Sequence, residues 1–285
     1  MDPFPLGAFS VNRVGFGAMQ LPGPNAFGPP RDRDEALAVL RRAVELGVNH
    51  IDTAQFYGPD VANELIRAAL HPYPQNLALV SKVGGRRDDK GGWLPAGAPA
   101  ELRSDIETNL RSLGIEQLAV VNLRLFESDG PDQQFDDQLS AMIEARDQGL
   151  IGGIGLSNVN LEHLRHAVQR TEIACVQNAF NLVHRDAAPV LEECTARGIA
   201  FVPFFPLGAA FMQPNPVLSH QALQQTAQRL GCTPAQVALA WTLSVAPNVL
   251  LIPGTSSLGH LEENLNVGSI ELDDEAREQL NAVAA

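Results

Sequence analysis

The sequence predicts an α/β fold, a closed (β/α)8 TIM barrel with two extra helices, on three observations. Short runs rich in β-branched residues alternate with longer segments of helical periodicity, and Gly, Pro, Asn and Asp stand at the joints. The alternation gives eight strand-helix pairs, whereas open doubly wound sheets usually stop at about six strands. No break in composition and no low-complexity linker interrupts the 285 residues, so we expect a single domain over residues 1–285.

The predicted elements follow one another in strict order. The strands are Arg13–Ala18, His50–Thr53, Leu77–Lys82, Leu118–Arg124, Ile151–Gly155, Ile173–Gln177, Ala200–Phe204 and Val249–Ile252. The paired helices are Asp34–Leu46, Val61–Leu70, Ala100–Leu113, Asp136–Gln148, Leu161–Arg170, Ala187–Arg197, His220–Leu230 and Leu258–Asn266. Two helices exceed the repeat, Pro234–Leu243 and Asp273–Val283. The apolar residues of the first helix, Ala36, Val39, Leu40, Ala43 and Val44, form one stripe that is expected to face the core.

Charge and composition exclude several classes of partner. The formal net charge is −13, and no basic cluster is longer than pairs such as Arg86-Arg87. Such a surface repels phosphate backbones and anionic lipids, so we expect no nucleic-acid or membrane partner, and no obligate protein partner is evident. The N-terminus lacks a basic and apolar leader, and the 3 cysteines are far apart. We therefore expect a cytoplasmic protein with free thiols.

Polar residues gather where the predicted strands end. In a barrel of this class the active site forms at the carboxyl ends of the strands. Tyr57 lies in the loop after the second strand. The strand-end candidates are Asp52, Lys82, Asn122, Arg124, Ser157, Asn158, Gln177 and Asn178. The loops Val83–Ala98 and Gly208–Val217 are expected to shape the pocket.

Asp52, Tyr57 and Lys82 make a coherent chemical set. A phenol of pKa about 10 is a poor acid near neutral pH, and a neighbouring ammonium group makes it a better one. A carboxylate would hold that ammonium charged and oriented, and the arrangement suits protonation of a developing alkoxide. Alternatively, Asp52 caps the following helix, Lys82 is a solvated strand end and Tyr57 is a packing residue. The combination on adjacent strands favours the catalytic interpretation.

Motifs along nearly the whole chain resemble the aldo-keto reductase family. They are Gly15-Phe16-Gly17-Ala18-Met19, His50-Ile51-Asp52-Thr53-Ala54-Gln55-Phe56-Tyr57-Gly58, Val80-Ser81-Lys82, Gly153-Ile154-Gly155-Leu156-Ser157-Asn158, Val176-Gln177-Asn178, Pro206-Leu207-Gly208, Ile252-Pro253-Gly254-Thr255 and His260-Leu261-Glu262-Glu263-Asn264. Gly15-Phe16-Gly17 is not a Rossmann fingerprint, because Gln20 stands at its sixth position.

The resemblance implies a role for each matching position. Tyr57 would be the proton donor, tuned by Lys82 and Asp52, and Phe204 would stack on the nicotinamide ring. Ser157, Asn158 and Gln177 would hydrogen-bond the nicotinamide carboxamide. The rest of the implied cofactor site comprises Gly17, Ala18, Met19, Asp52, Phe205, Pro206, Leu207, Gly208, Ile252, Pro253, Gly254, Thr255, Ser256, His260, Glu263 and Asn264.

Arg124 departs from the family pattern, which ends the fourth strand in a histidine. An arginine stays protonated at any working pH, so it donates hydrogen bonds and cannot shuttle a proton. We expect Arg124 to polarise the substrate carbonyl and to stabilise the phenolate electrostatically. The alternative is an arginine paired with a structural carboxylate.

The expected reaction is reduction of a carbonyl substrate by NADPH, with NADH as the alternative cofactor. Ser256 and His260 stand where family members often carry Lys or Arg for the 2′-phosphate. The run Val120-Val121-Asn122-Leu123-Arg124 is similar to a bacterial branch of the family that acts on pyridoxal, which makes pyridoxal the leading substrate.

Two competing functions remain open at this point. One is a cofactor-binding regulatory barrel without significant turnover, because the fourth position of the tetrad is changed. The other is a Schiff-base aldolase built on Lys82. No metal is expected, and His163 with His166 is predicted to lie on a solvated helix face.

Overall fold

Parallel strands dominate the computed structural model, which describes residues 2–126, 129–208 and 214–284. The strands are β1 (Phe4–Leu6), β2 (Phe9–Val11), β3 (Phe16–Gly17), β4 (His50–Asp52), β5 (Ala78–Val83), β6 (Gly85–Arg87), β7 (Trp93–Pro95), β8 (Val120–Arg124), β9 (Ile154–Ser157), β10 (Cys175–Gln177) and β11 (Ala200–Phe201). One parallel sheet runs in the order β11-β10-β9-β8-β5-β4-β3.

The segment from Val249 to Leu251 closes this sheet into a barrel. Val249 pairs in parallel with Phe201, and Leu251 pairs in parallel with Val14. The amide of Gly15 donates to the carbonyl of Leu251 at 2.8 Å. This segment therefore acts as the eighth strand, and the predicted (β/α)8 class is confirmed.

Ten helices surround the barrel within the described residues. They are α1 (Arg33–Glu45), α2 (Val61–Leu70), α3 (Pro99–Leu113), α4 (Gln133–Asp147), α5 (Leu161–Arg170), α6 (Ala188–Arg197), α7 (Gln221–Leu230), α8 (Pro234–Ser244), α9 (Leu258–Leu265) and α10 (Asp274–Asn281). The extra helices of the sequence prediction are α8 and α10. On α1 the expected stripe is buried, and Asp32 caps the helix by accepting the Glu35 amide at 3.0 Å.

Several predicted strands are shorter than expected. The first covers only Phe16–Gly17, because Ala18 already begins a 3₁₀ turn, and the seventh covers only Ala200–Phe201. Proline lacks the N–H that a ladder needs, and Pro203 follows closely after β11. The predicted strand Val249–Ile252 is reduced to isolated pairs, and Pro253 follows it.

Two antiparallel hairpins were not predicted. The β1-β2 hairpin packs Leu6 and Val11 against Ala78, Val120 and Ala200, each the first residue of a barrel strand. It covers the amino-terminal end of the barrel and leaves the carboxyl-terminal end to the site. The β6-β7 hairpin lies in the long segment after β5.

None of the described helices is long and apolar enough to cross a membrane. Cys175, Cys194 and Cys232 are free, the first two buried, as the sequence predicted. Burial raises the pKa of the Cys194 thiol to about 12.

Candidate active site

Strand register brings the strand-end side chains to one end of the barrel. Lys82 of β5 aligns with Asn122 of β8, and Arg124 of β8 aligns with Ser157 of β9. Ser157 in turn aligns with Gln177 of β10. Because side chains alternate along a strand, these positions share the inward face of the barrel.

Asp52, Lys82 and Tyr57 form a buried cluster, exposed by only 3%, 6% and 6%. The Lys82 ammonium donates to the Asp52 carboxylate and, at 3.0 Å, to the carbonyl of Thr53. Its Nζ atom lies 5.0 Å from the centroid of the Tyr57 ring. Burial by itself lowers the pKa of Lys82, but the negative charges of Asp52 and Tyr57 outweigh burial, and the pKa is raised. Lys82 is therefore held as a cation beside the phenol.

The loop that carries Tyr57 is tied at several points. The Tyr57 amide donates to the carbonyl of Ala54 at 3.0 Å, and its own carbonyl accepts from the Ala62 amide at 3.0 Å. Gly58 has φ of +111°, and a Cβ there would lie 2.3 Å from the Cβ of Val61. Only glycine fits this turn without strain, so the backbone fixes where the phenol lies.

Arg124 ends β8 and lies half-buried between polar and aromatic neighbours. Its Nη1 donates to the Ser157 hydroxyl at 3.2 Å, and its guanidinium carbon lies 4.8 Å from the centroid of the Phe204 ring. Burial lowers the pKa of Arg124, and the charge of Tyr57 opposes this shift. No carboxylate pairs with Arg124 in the described residues. The structural ion pair considered from the sequence is thus not found there.

Gln177 carries a buried polar atom that the described residues leave unsatisfied. Its Nε2 donates to the second Asp52 oxygen at 2.6 Å, while its Oε1 has no partner in the described part of the chain. Asn158 lies beside it with a left-handed backbone, its amide donating to the Gln177 carbonyl at 2.9 Å. A buried acceptor without a donor is costly, so the amide of Gln177 fits a ligand that supplies one, such as a carboxamide.

Backbone segments approach each other closely beside this amide. A Cβ at Gly17 would lie 2.4 Å from the Ile252 carbonyl oxygen, and one at Gly254 would lie 2.4 Å from the Gly17 oxygen. Side chains are therefore excluded at both positions, and the two backbone segments pack directly against each other. Thr255 is buried, and its hydroxyl accepts the Ser257 amide at 3.0 Å where α9 begins.

The other predicted cofactor residues lie on α9, just before it, or after the barrel strands. His260 and Glu263 are exposed on α9, whereas Asn264 is buried. Ser256 is exposed before that helix. The remaining ones follow carboxyl ends of strands and are Ala18, Met19, Phe205, Pro206, Leu207, Gly208 and Pro253. Residues 209–213 of the predicted pocket loop lie outside the described residues.

Aromatic side chains wall the space beside Tyr57, and sequence reasoning missed two of them. Phe56 meets both Tyr57 and Trp93 edge to face, at centroid distances of 5.5 and 5.6 Å. Phe126 lies 6.0 Å from the guanidinium carbon of Arg124. The sequence offers one signal for each of them: Phe56 directly precedes Tyr57, and Phe126 lies two residues after Arg124.

The expectation for His163 was wrong. His163 is 1% exposed, meets the Phe135 ring edge to face at 4.9 Å and lies with Nδ1 2.7 Å from the Asn160 side-chain oxygen. His166 instead bonds Asp136 at 2.6 Å. The packing of α5 against α4 buries His163, which a single-helix pattern does not reveal. The described residues contain no group of three or more His, Cys, Asp or Glu side chains able to hold a metal ion.

Comparison with known proteins places this site in a family. The model of the aldo/keto reductase family matches residues 13–285. The chain therefore belongs to the aldo/keto reductase family and is an NAD(P)H-dependent oxidoreductase, which confirms the family and enzyme class predicted from the sequence.

Two relatives show which members of the family the chain resembles. The chain is 48% identical to pyridoxine 4-dehydrogenase of Escherichia coli K12, over 99% of this chain and 98% of that one. It is 38% identical to an uncharacterised oxidoreductase of Schizosaccharomyces pombe, over 97% of this chain and 88% of that one.

Solved structures agree with the fold. A thermostable aldo-keto reductase crystallised with the inhibitor epalrestat has a TM-score of 0.82 at 29% identity, covering 100% of both chains. An aldo/keto reductase from Klebsiella pneumoniae in complex with NADP and acetate has a TM-score of 0.80 at 25% identity, covering 99% of this chain and 95% of that one.

Proposed function

We propose that this protein uses NADPH to reduce an aldehyde or ketone, with Tyr57 as the general acid. The observation that carries the proposal is the Lys82 ammonium, fixed by Asp52 and the Thr53 carbonyl directly beside the Tyr57 ring. A buried cation next to a phenol stabilises the phenolate that remains after proton transfer.

The cofactor site fits a nicotinamide. Gln177 offers an unsatisfied buried oxygen to the carboxamide, together with Ser157 and Asn158. Gly17 and Gly254, where no side chain fits, would be among the residues that hold the rest of the cofactor. When bound, NADPH supplies the hydride. Its support as the cofactor comes from the Klebsiella relative, which was crystallised with NADP.

Tyr57 and Arg124 have different roles at the carbonyl oxygen of the substrate. Tyr57 donates its proton to that oxygen as negative charge develops on it. Arg124 donates a hydrogen bond to the same oxygen, with its guanidinium held by Ser157. Aromatic walls exclude water and strengthen both interactions. A Schiff-base aldolase needs a neutral lysine, and the raised pKa of Lys82 disfavours that chemistry.

Pyridoxal is the proposed substrate, and its product is pyridoxine. Support comes from the Escherichia coli relative, whose name states a pyridoxine dehydrogenase. The aromatic side chains of Phe56, Trp93, Phe126 and Phe204 suit a flat heteroaromatic ring.

A steady-state assay tests the proposal. Purified protein is mixed with pyridoxal and NADPH, with NADH in parallel, while cofactor oxidation and pyridoxine formation are followed. We expect stoichiometric pyridoxine formation, with a higher kcat/KM for NADPH than for NADH. Cofactor binding without turnover of pyridoxal or nitrobenzaldehyde would favour a regulatory barrel, and borohydride trapping of substrate on Lys82 would favour an aldolase.

A further inference from the structure

Arg87 presents a partly unsatisfied cation at the rim of the site. It ends β6 of the β6-β7 hairpin, and its guanidinium carbon lies 3.8 Å from the centroid of the Trp93 ring. Its Nη2 donates to the Asn25 carbonyl at 2.8 Å. The Nε and Nη1 atoms are shielded from solvent and have no partner among residues 2–126, 129–208 and 214–284.

Guanidinium nitrogens that are shielded from solvent and have no acceptor reduce the stability of the folded protein. The Nε–H lies beside Nη2 and not beside Nη1, so the two unpartnered nitrogens point to different sides of the planar guanidinium, and each can donate one charge-assisted hydrogen bond to an anion oxygen. The stack on Trp93 and the bond to Asn25 hold that plane in place. Arg87 is thus a fixed cation that can meet an anion through single N–H groups.

The rim position of Arg87 is linked to the proton donor. Trp93, which stacks on Arg87, meets Phe56 edge to face, and Phe56 meets Tyr57 in the same way. Phe27 lies 5.5 Å from the guanidinium carbon and pairs through its backbone with Gly58. Burial lowers the pKa of Arg87, and the charges of Asp88 and Tyr57 oppose that shift.

The positive charge around Tyr57 contrasts with the negative net charge of the whole chain. The chain carries a net charge of −13, yet Arg87, Arg124 and Lys82 all interact with Tyr57. Asp52 neutralises Lys82. The Oδ1 of Asp88 already accepts the amides of Lys90 at 2.8 Å and Gly92 at 2.7 Å within the hairpin turn.

We propose that Arg87 binds an anionic substituent of the carbonyl substrate, a carboxylate or a phosphate. This inference rests on the proposed function and adds to it the charge of the preferred substrate. Arg124 meets the reacting oxygen, and Arg87 meets the distal anion. The enzyme accordingly prefers anionic aldehydes to neutral ones of the same shape.

Matched acid and ester pairs test the proposal. The substrates are the ortho, meta and para isomers of formylbenzoic acid, each with its methyl ester, and pyridoxal phosphate with pyridoxal. A charge-assisted hydrogen bond that is fully formed changes kcat/KM by roughly 10- to 100-fold. We expect that preference for at least one acid over its ester, and the isomer that shows it reports the spacing of the two groups. The phosphate pair distinguishes a phosphate ligand from a carboxylate ligand.

The variant Arg87→Gln isolates the contribution of the side chain. We expect it to abolish the preference for the acid, measured as the ratio of kcat/KM for the acid to kcat/KM for its ester in the same variant. Arg87→Lys is expected to restore part of the preference. Arg86→Gln is the matched control, because Arg86 is exposed and pairs with Glu101 at 2.5 Å; it should keep the preference intact.

A binding measurement separates this inference from the proposed function. The chain has 2 tryptophans, so Trp241→Phe leaves Trp93 as the fluorophore for titration of the NADP⁺ complex with each acid and ester. One outcome is that an acid binds more tightly than its ester, that Arg87→Gln loses this difference, and that no substrate is turned over. This outcome would support the anion site and contradict the proposed reductase activity. Turnover in the wild type with equal kcat/KM for every acid and its ester, and with no preference for pyridoxal phosphate over pyridoxal, overturns the anion site and leaves the proposed reductase activity intact. That wild-type comparison decides the question even if Arg87→Gln does not fold.

Discussion

At the scale of single residues, Arg124 makes this site unusual for its chemistry. It occupies a strand end where the sequence resemblance leads one to expect a histidine, and no carboxylate in the described residues pairs with it. Its bond to Ser157 leaves other guanidinium N–H groups for a substrate oxygen. A fixed positive charge therefore replaces a titratable group next to Tyr57.

The pH profile of kcat/KM follows from this replacement. Burial lowers the pKa of Arg124, but a guanidinium remains protonated throughout the working range. We expect the wild type to show no inflection near pH 6.5, the ordinary pKa of histidine, and Arg124→His to acquire one at about that pH. Arg124→Gln should reduce kcat/KM by about 100-fold or more. A wild-type inflection near pH 6.5 would show that another group titrates in the site.

At the scale of elements, the sequence was enough to predict the barrel strands, their paired helices and the polar residues at strand ends. It was not enough to predict which side chains contact one another. The barrel strands and paired helices followed from alternating periodicity, and Asp52, Lys82 and Arg124 followed from their place at strand ends. The β6-β7 hairpin was missed because its three-residue strands carry no apolar alternation. The bond from Gln177 to Asp52 joins residues 125 positions apart and depends on the strand order.

A buried polar network between α2, α3 and the barrel supports the site. Asn63 accepts from the Thr53 hydroxyl at 2.9 Å and donates to the Asn109 side-chain oxygen at 3.0 Å. Ser81 donates to the same oxygen at 2.6 Å. The network thereby holds Thr53, whose carbonyl accepts a hydrogen bond from Lys82.

Replacing Asn63 by Ala is expected to destabilise the protein and to loosen this support. Each buried polar group left unpaired costs about 1–3 kcal/mol of unfolding free energy. We expect kcat to fall more than the affinity for NADPH, because the lysine loses a fixed neighbour. Glu64→Ala on the exposed face of α2 is the control and should change neither quantity measurably. Urea unfolding and steady-state kinetics check both; an unchanged unfolding free energy would contradict the account of the network.

At the scale of the whole molecule, a buried histidine couples barrel stability to pH. His50 is 2% exposed, and its ring fills the space where a Cβ at Gly15 would stand, 2.3 Å away. Burial lowers the pKa of His50 to about 4, and the backbone of Asn12 offsets this only in part. The folded barrel therefore disfavours the protonated ring.

The direction of the pH effect follows from linkage. Between about pH 6.5 and pH 4 the unfolded chain binds a proton at His50 that the folded chain does not, so stability is lost as the pH falls. The loss from this group amounts to about 3 kcal/mol over that window. We expect His50→Leu to remove that part of the pH dependence and the surface control His184→Gln to leave it in place. Equal slopes in His50→Leu and wild type would refute the assignment.

In the proposed mechanism Tyr57 delivers the proton while Lys82 and Asp52 hold the charge around it. The most direct measurement is single-turnover oxidation of bound NADPH by pyridoxal in Tyr57→Phe, with the dissociation constant of NADPH measured by fluorescence. We expect a rate lower by about 10²- to 10⁴-fold and a dissociation constant within about twofold of the wild type. A Tyr57→Phe enzyme that oxidises NADPH at nearly the wild-type rate would contradict the proposed mechanism.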